Sequence, residues 1–94
     1  MATRIENVLL GAEIRRYRKQ AKLSTRALDR AMDMGVGFTS QIERGLRMAD
    51  FGTVLDIAAI IGAEPLILYR NAEEAVRAHY RETGQRPVTR PDEK

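Results

Sequence analysis

The 94-residue sequence is poor in groups that make or break bonds and rich in groups that hold anions. His79 is the only histidine and there is no cysteine. Glu82 is the one acidic residue close behind His79. A metal site needs several ligands at set spacing, and nucleophilic catalysis needs a base beside a serine or cysteine. Neither constellation is written here, so neither a metal, a cofactor nor an enzymatic role is expected. Gly35-Val36-Gly37 lacks the third glycine and the preceding strand of a dinucleotide loop. Met32, Met34 and Met48 read as flexible packing residues rather than chemical ones.

Charge is more informative. The net charge is only +3, but residues 1–47 hold ten lysines and arginines against five acidic residues, a balance of +5. Residues 48–94 hold six against eight, a balance of −2. Arg15, Arg16, Lys19, Lys22, Arg26, Arg30, Arg44 and Arg47 make up most of the basic half. Two readings stand: an ordinary solvated helix surface, or a footprint for a polyanion.

The elements that must position these cations are helical by pattern. Thr3 and Glu6 have capping-box spacing, and Ile5, Val8, Leu9, Ala12, Ile14 and Tyr17 mark one face of a helix from Arg4 to Ala21. Ser24 is an N-cap for a second helix that runs to about Asp33 and buries Leu28, Ala31 and Met32. A third helix, Val36 to Arg44, stops at Gly45. Asp50 caps a fourth, with Phe51, Val54, Leu55, Ile57, Ala58 and Ile61 on its face and Gly62 at its end. Glu64-Pro65 reads as a break. The short apolar run Leu66, Ile67, Leu68, Tyr69 then fits a strand better than a helix. Asn71 and Glu74 suggest a cap for a last helix ending before Gly84.

Two short helices joined by a turn behind a basic helix suggest a helix-turn-helix. The segments LGAEIRRYRKQAKLS, TRALDRAMDMGVGFTSQIERG and LRMADFGTVLDIAAIIGAEPLILY, residues 10–69, resemble the Cro/CI-type (XRE) repressor family. Ile14, Arg18, Leu23-Ser24, Leu28, Met32, Ile42-Glu43-Arg44-Gly45 and Leu55–Gly62 carry the likeness. The resemblance implies an all-α, five-helix, lambda-repressor-like domain whose third helix enters the major groove of double-stranded DNA. By that resemblance Val36, Gly37, Phe38, Ser40 and Gln41 face the bases, and Ser24, Thr25, Arg26, Arg44 and Arg47 lie near phosphates. Arg18 and Glu43 match a family pair that joins the first and third helices and is structural. Phe38 is shared between two readings, groove contact and core or subunit contact. Asp29 stands where the family usually carries alanine. A buried carboxylate there requires a partner, or else the two helices splay.

These observations divide the chain into a helix-turn-helix domain over 1–69, a C-terminal helix over 70–83 and a disordered tail over 84–94. Leu66, Ile67, Leu68 and Tyr69 have two readings: a linker closing the core, or a strand that pairs with its twin in a homodimer, as in some antitoxin relatives of the family. The expected function is a sequence-specific transcriptional repressor. The alternative is an antitoxin or interaction module of the same fold, in which Ala72, Ala75, Val76 and Tyr80 bind a partner protein such as a toxin. The longest apolar stretch, Ile57–Ala63, is too short for a membrane span, and the N-terminus has no signal-peptide cleavage site. A cytoplasmic protein with no membrane partner is expected.

Overall fold

Side chains bury at helical spacing along the whole described chain. In the computed structural model, which describes residues 3–85, five helices follow one another and no strand occurs among the described residues. They are α1 (Ile5–Gln20), α2 (Thr25–Ala31), α3 (Phe38–Glu43), α4 (Phe51–Ile61) and α5 (Pro65–Thr83). Ile14, Leu28, Ile42, Val54, Ile57, Ala58, Ile61 and Leu68 form one core to which every helix contributes. No single helix among the described residues is long and apolar enough to cross a membrane.

The starts of α2 and α4 follow from their caps. Ser24 Oγ accepts from the Ala27 amide at 3.0 Å, and Asp50 Oδ1 accepts from the Thr53 amide at 2.8 Å. Each satisfies one donor that the helix itself leaves unpaired. The Thr3–Glu6 capping box does not form. Arg4 occupies the N-cap without a side-chain bond, which leaves Thr3 one residue too early. Glu6 is instead held by Arg4 and by the Tyr80 hydroxyl, 2.8 Å away.

The strand expected over Leu66, Ile67, Leu68 and Tyr69 is the opening of α5. The same Glu64-Pro65 pair that reads as a helix stop is a helix start. Glu64 is extended (φ −78°, ψ 125°), as a residue before proline prefers, and Pro65 takes the first helical position, where a missing N–H costs nothing. Leu68 and Ala72, four residues apart, are buried, while Leu66 points to solvent. That is burial with a helical period. The separate C-terminal helix over 70–83 is therefore the continuation of α5, and a boundary between residues 69 and 70 falls inside it. Asn71 is no cap; its amide donates to Glu13 Oε1 at 3.0 Å. The tail over 84–94 lies outside the described residues apart from Gly84 and Gln85.

α5 packs antiparallel to α1. Asn71 meets Glu13 near one end, and Tyr80 meets Glu6 near the other. α1 also crosses the end of α3 so closely that a Cβ on Gly11 would come within 3.0 Å of the Ile42 and Glu43 carbonyl oxygens. Only glycine fits this crossing, which fixes the height of α3 against the scaffold.

Candidate nucleic-acid interface

α3 is six residues long and too short to stand alone. Its first helical bonds depend on Gly37, which sits at φ +96°, a conformation open to glycine, and has no side chain to cap the helix. Asp29 on α2 supplies the cap from outside. Its Oδ2 accepts from the Gly37 amide at 3.1 Å and its Oδ1 from the Thr39 amide at 2.7 Å. The carboxylate is 2 % exposed. Burial alone would raise it; hydrogen bonds from Thr39 and the Gly37 amide, with the charge of Arg26, outweigh burial and hold it below the usual carboxylate range. An anion at a helix N-terminus also meets the positive end of the helix dipole. Asp29 is thus partnered by backbone, and α2 and α3 are tied rather than splayed. Helix α3 begins at Phe38, two residues after the expected Val36, because Gly37 and not Val36 makes the turn.

At the other end of α3, Arg18 Nε donates to Glu43 Oε2 at 2.6 Å and Nη2 donates to Oε1 at 3.0 Å. Nη1 donates to the Leu23 carbonyl at 2.7 Å. Both side chains are buried. The hydrogen bonds to Glu43, opposed by burial, raise Arg18 above its usual value. The two-pronged geometry satisfies the guanidinium and links α1, the loop before α2, and α3.

Around that pair opens a cleft of about 260 Å³ lined by Arg15, Thr25, Ser40 and Arg44 above Arg18 and Glu43. It brings together four helix-turn-helix positions that face water or lie half-buried. Gln41 is exposed on α3, and Arg47 is exposed on the loop that follows it. Arg47 Nε donates to Gln41 Oε1 at 3.2 Å, and its guanidinium lies 5.3 Å from the centre of the Phe38 ring. Phe38 is half-buried against the core, as one of its two readings expects, and carries Arg47 on its outer face. Val36, 75 % exposed, projects from the turn. Arg26 is exposed on the first turn of α2, while Ser24 spends its oxygen on the cap.

The surface therefore collects Thr25, Ser40 and Arg44 in one cleft and Phe38, Gln41 and Arg47 in one cluster. Leu66, Ile67, Leu68 and Tyr69 belong to neither. Two residues were not among the contacts that the resemblance implied. Arg15 lines the cleft, and its signal was its place three residues before Arg18, one turn along the same helix. Asp29 holds the turn, and its signal was a helix beginning with a glycine that cannot cap itself. Among the described residues no three His, Cys, Asp or Glu side chains gather to hold a metal ion.

A family model described as a helix-turn-helix domain matches residues 9–66. Two solved structures of the clp gene regulator ClgR from Corynebacterium glutamicum share the fold. One superposes with a TM-score of 0.74 at 21% identity, covering 88% of this chain and 90% of the other. The second gives 0.70 at 23% identity, covering 74% and 91%. No curated protein matches the sequence significantly.

Proposed function

The chain belongs to the helix-turn-helix domain family, and from that premise we propose that it is a DNA-binding transcriptional regulator that seats α3 in the major groove. The matched span and the resemblance read from residues 10–69 coincide almost residue for residue. The observation that carries the proposal is the cleft in which Arg15, Thr25, Ser40 and Arg44 converge beside α3. Two cations and two hydroxyls around one concavity suit a backbone phosphate. Arg26 and Arg47 extend the positive field on either side. Val36 offers an apolar contact for a thymine methyl, and Ser40 and Gln41 offer hydrogen bonds to base edges. The structures of ClgR, a gene regulator, support the same assignment by analogy of fold.

In this reading the protein is a repressor that occupies its site as a homodimer. With the strand replaced by the first turns of α5, the dimer surface is the corner between α4 and α5. Phe51 is 66 % and Leu66 75 % exposed there, and the Phe51 ring lies 6.4 Å from that of Tyr69. Glu64, Arg70 and Glu73 line the groove beside Leu66. An apolar centre with both charge signs at its rim is self-complementary under a two-fold axis, so a second copy is the occupant it suits. The antitoxin alternative has less to stand on. Ala72 is buried, Ala75, Val76 and Tyr80 are half-buried, and Tyr80 is bonded to α1, so that stripe is engaged within the chain.

A salt titration of duplex DNA binding tests the proposal. Log affinity should fall linearly with log salt, with a slope near −0.9 for each phosphate neutralised. Arg15→Ala with Arg44→Ala should weaken binding to every sequence and flatten the slope by about 2. An unchanged slope removes the cleft from the interface; no duplex binding at low salt removes the function.

A further inference from the structure

The cluster at the end of α3 determines which base edge Gln41 is able to read. The loop after α3 folds back on it: the amides of Leu46 and Arg47 both bond the Gln41 carbonyl. Arg47 is thereby held beside Gln41 by backbone as well as by its own side chain. An arginine carries donors only, so the Gln41 atom that meets Arg47 Nε must be the carboxamide oxygen. Its orientation is therefore forced, with the NH₂ group directed away from Arg47. The Phe38 ring beneath the guanidinium adds a cation–π contact that keeps Arg47 in place.

An unconstrained glutamine reads adenine with two bonds, giving a hydrogen to N7 and accepting one from the N6 amino group. That pairing needs the carboxamide oxygen. A second lone pair remains on Gln41 Oε1, but an adenine amino group approaching it meets the guanidinium, donor against donor. The hydrogens left over, on Gln41 Nε2 and on the outer nitrogens of Arg47, all seek acceptors. Guanine presents two acceptors in the major groove, N7 and O6. We propose that Phe38, Gln41 and Arg47 form a donor-only reading surface that selects guanine and rejects adenine at the base Gln41 meets. Gln41 and Arg47 touch the base, and Phe38 positions Arg47. The proposal rests on the reading that α3 enters the major groove.

The test is selection from a random duplex library with the full chain, followed by binding measurements on the selected site. The wild type should fix guanine at one position per half-site. Exchanging that guanine for 7-deazaguanine, which removes the N7 acceptor, should weaken binding about ten-fold. Gln41→Ala should erase the preference there. Arg47→Ala frees Oε1 and should move the preferred base from guanine to adenine, whereas a residue that only neutralised phosphate would leave the preference unchanged. Both side chains are exposed, so the folded state of each variant is readily checked by circular dichroism. Adenine, or no preference, at the position that depends on Gln41 overturns the proposal while leaving DNA binding intact. A guanine preference that survives Arg47→Ala overturns it equally. No enrichment and no duplex binding at low salt overturns the interface itself.

Discussion

Two carboxylates do the holding that the short helices cannot do for themselves. Asp29 satisfies two amides at the start of α3, and its loss leaves a buried one, of Thr39, and a half-buried one, of Gly37, unpaired. Asp29→Ala should destabilise by about 1–3 kcal/mol, read by urea unfolding, and should weaken DNA binding further by loosening α3. Glu43 anchors the other end. Arg18→Ala strands it, at about 3–5 kcal/mol, and a double change to apolar residues of similar volume should recover much of that loss. If Arg18→Ala unfolds at the parent's urea midpoint, the pair contributes nothing to stability. The acid limit of the fold belongs at this scale too. The hydrogen bond from Arg4, then its own backbone amide and Tyr80, lower the Glu6 carboxyl to about 2 from an ordinary 4.5. Asp29 is lowered as well. Groups lowered in the folded state stabilise it above their unfolded values and lose that effect as pH falls through the folded ones. The contribution of these two groups should therefore be flat above pH 5 and decline from about 4.5 towards 2, less steeply in Tyr80→Phe. Arg18 and Glu43 were legible from the sequence because their family spacing is distinctive. The work of Asp29 was not, because it is done eight residues away on a neighbouring helix.

The helices whose ends were legible are those that carry their own punctuation. Ser24, Asp50, Gly45 and Gly62 each mark a terminus by a local mechanism, and the structure uses all four as such. α5 escaped because four apolar residues are too few to separate a period of two from one of 3.6. Pro65 also stops one helix and starts another with the same ring. Packing against α1 decides the matter: Leu68 enters the core, and Asn71 and Tyr80 reach Glu13 and Glu6. Leu68→Ala should accordingly cost about 2–5 kcal/mol, a core-cavity effect that a peripheral linker would not show. The crossing of α1 over α3 is tested by Gly11→Ala. Alanine favours the helix by about 1 kcal/mol, but its Cβ meets backbone carbonyls that cannot turn aside. Net destabilisation of about 1–3 kcal/mol is expected in thermal unfolding. A stabilised Gly11→Ala would mean that α1 and α3 stand further apart.

For the molecule as a whole, the distribution of surface matters more than its sum. The cations cluster where α1, α2 and α3 meet; Val36, Leu46 and Met48 are exposed before and after α3, and Phe51 and Leu66 are exposed on α4 and α5. Under the proposed function the division of labour is spatial, with one surface for phosphate and another for a second copy. Leu66→Asp should therefore give a folded monomer in analytical ultracentrifugation, with affinity lost chiefly on sites that have two half-sites. Retention of the dimer would place the interface elsewhere; a parent that stays monomeric at high concentration would leave α3 to act singly.

The trans cap from Asp29 has a consequence for how such a protein changes its target. In many helices the residues of the first turn keep the helix in being, and exchanging them carries a folding penalty. Here that duty sits on another helix, aimed at backbone atoms that every amino acid possesses. Val36, Ser40 and Gln41 are released from it, and the outward positions of α3 are interchangeable parts mounted on a fixed socket. Randomising them together should yield a population that remains largely folded while differing in the DNA it prefers. If α3 reads DNA as proposed, retargeting, by selection in nature or in the laboratory, can then proceed without compensating mutations in the scaffold.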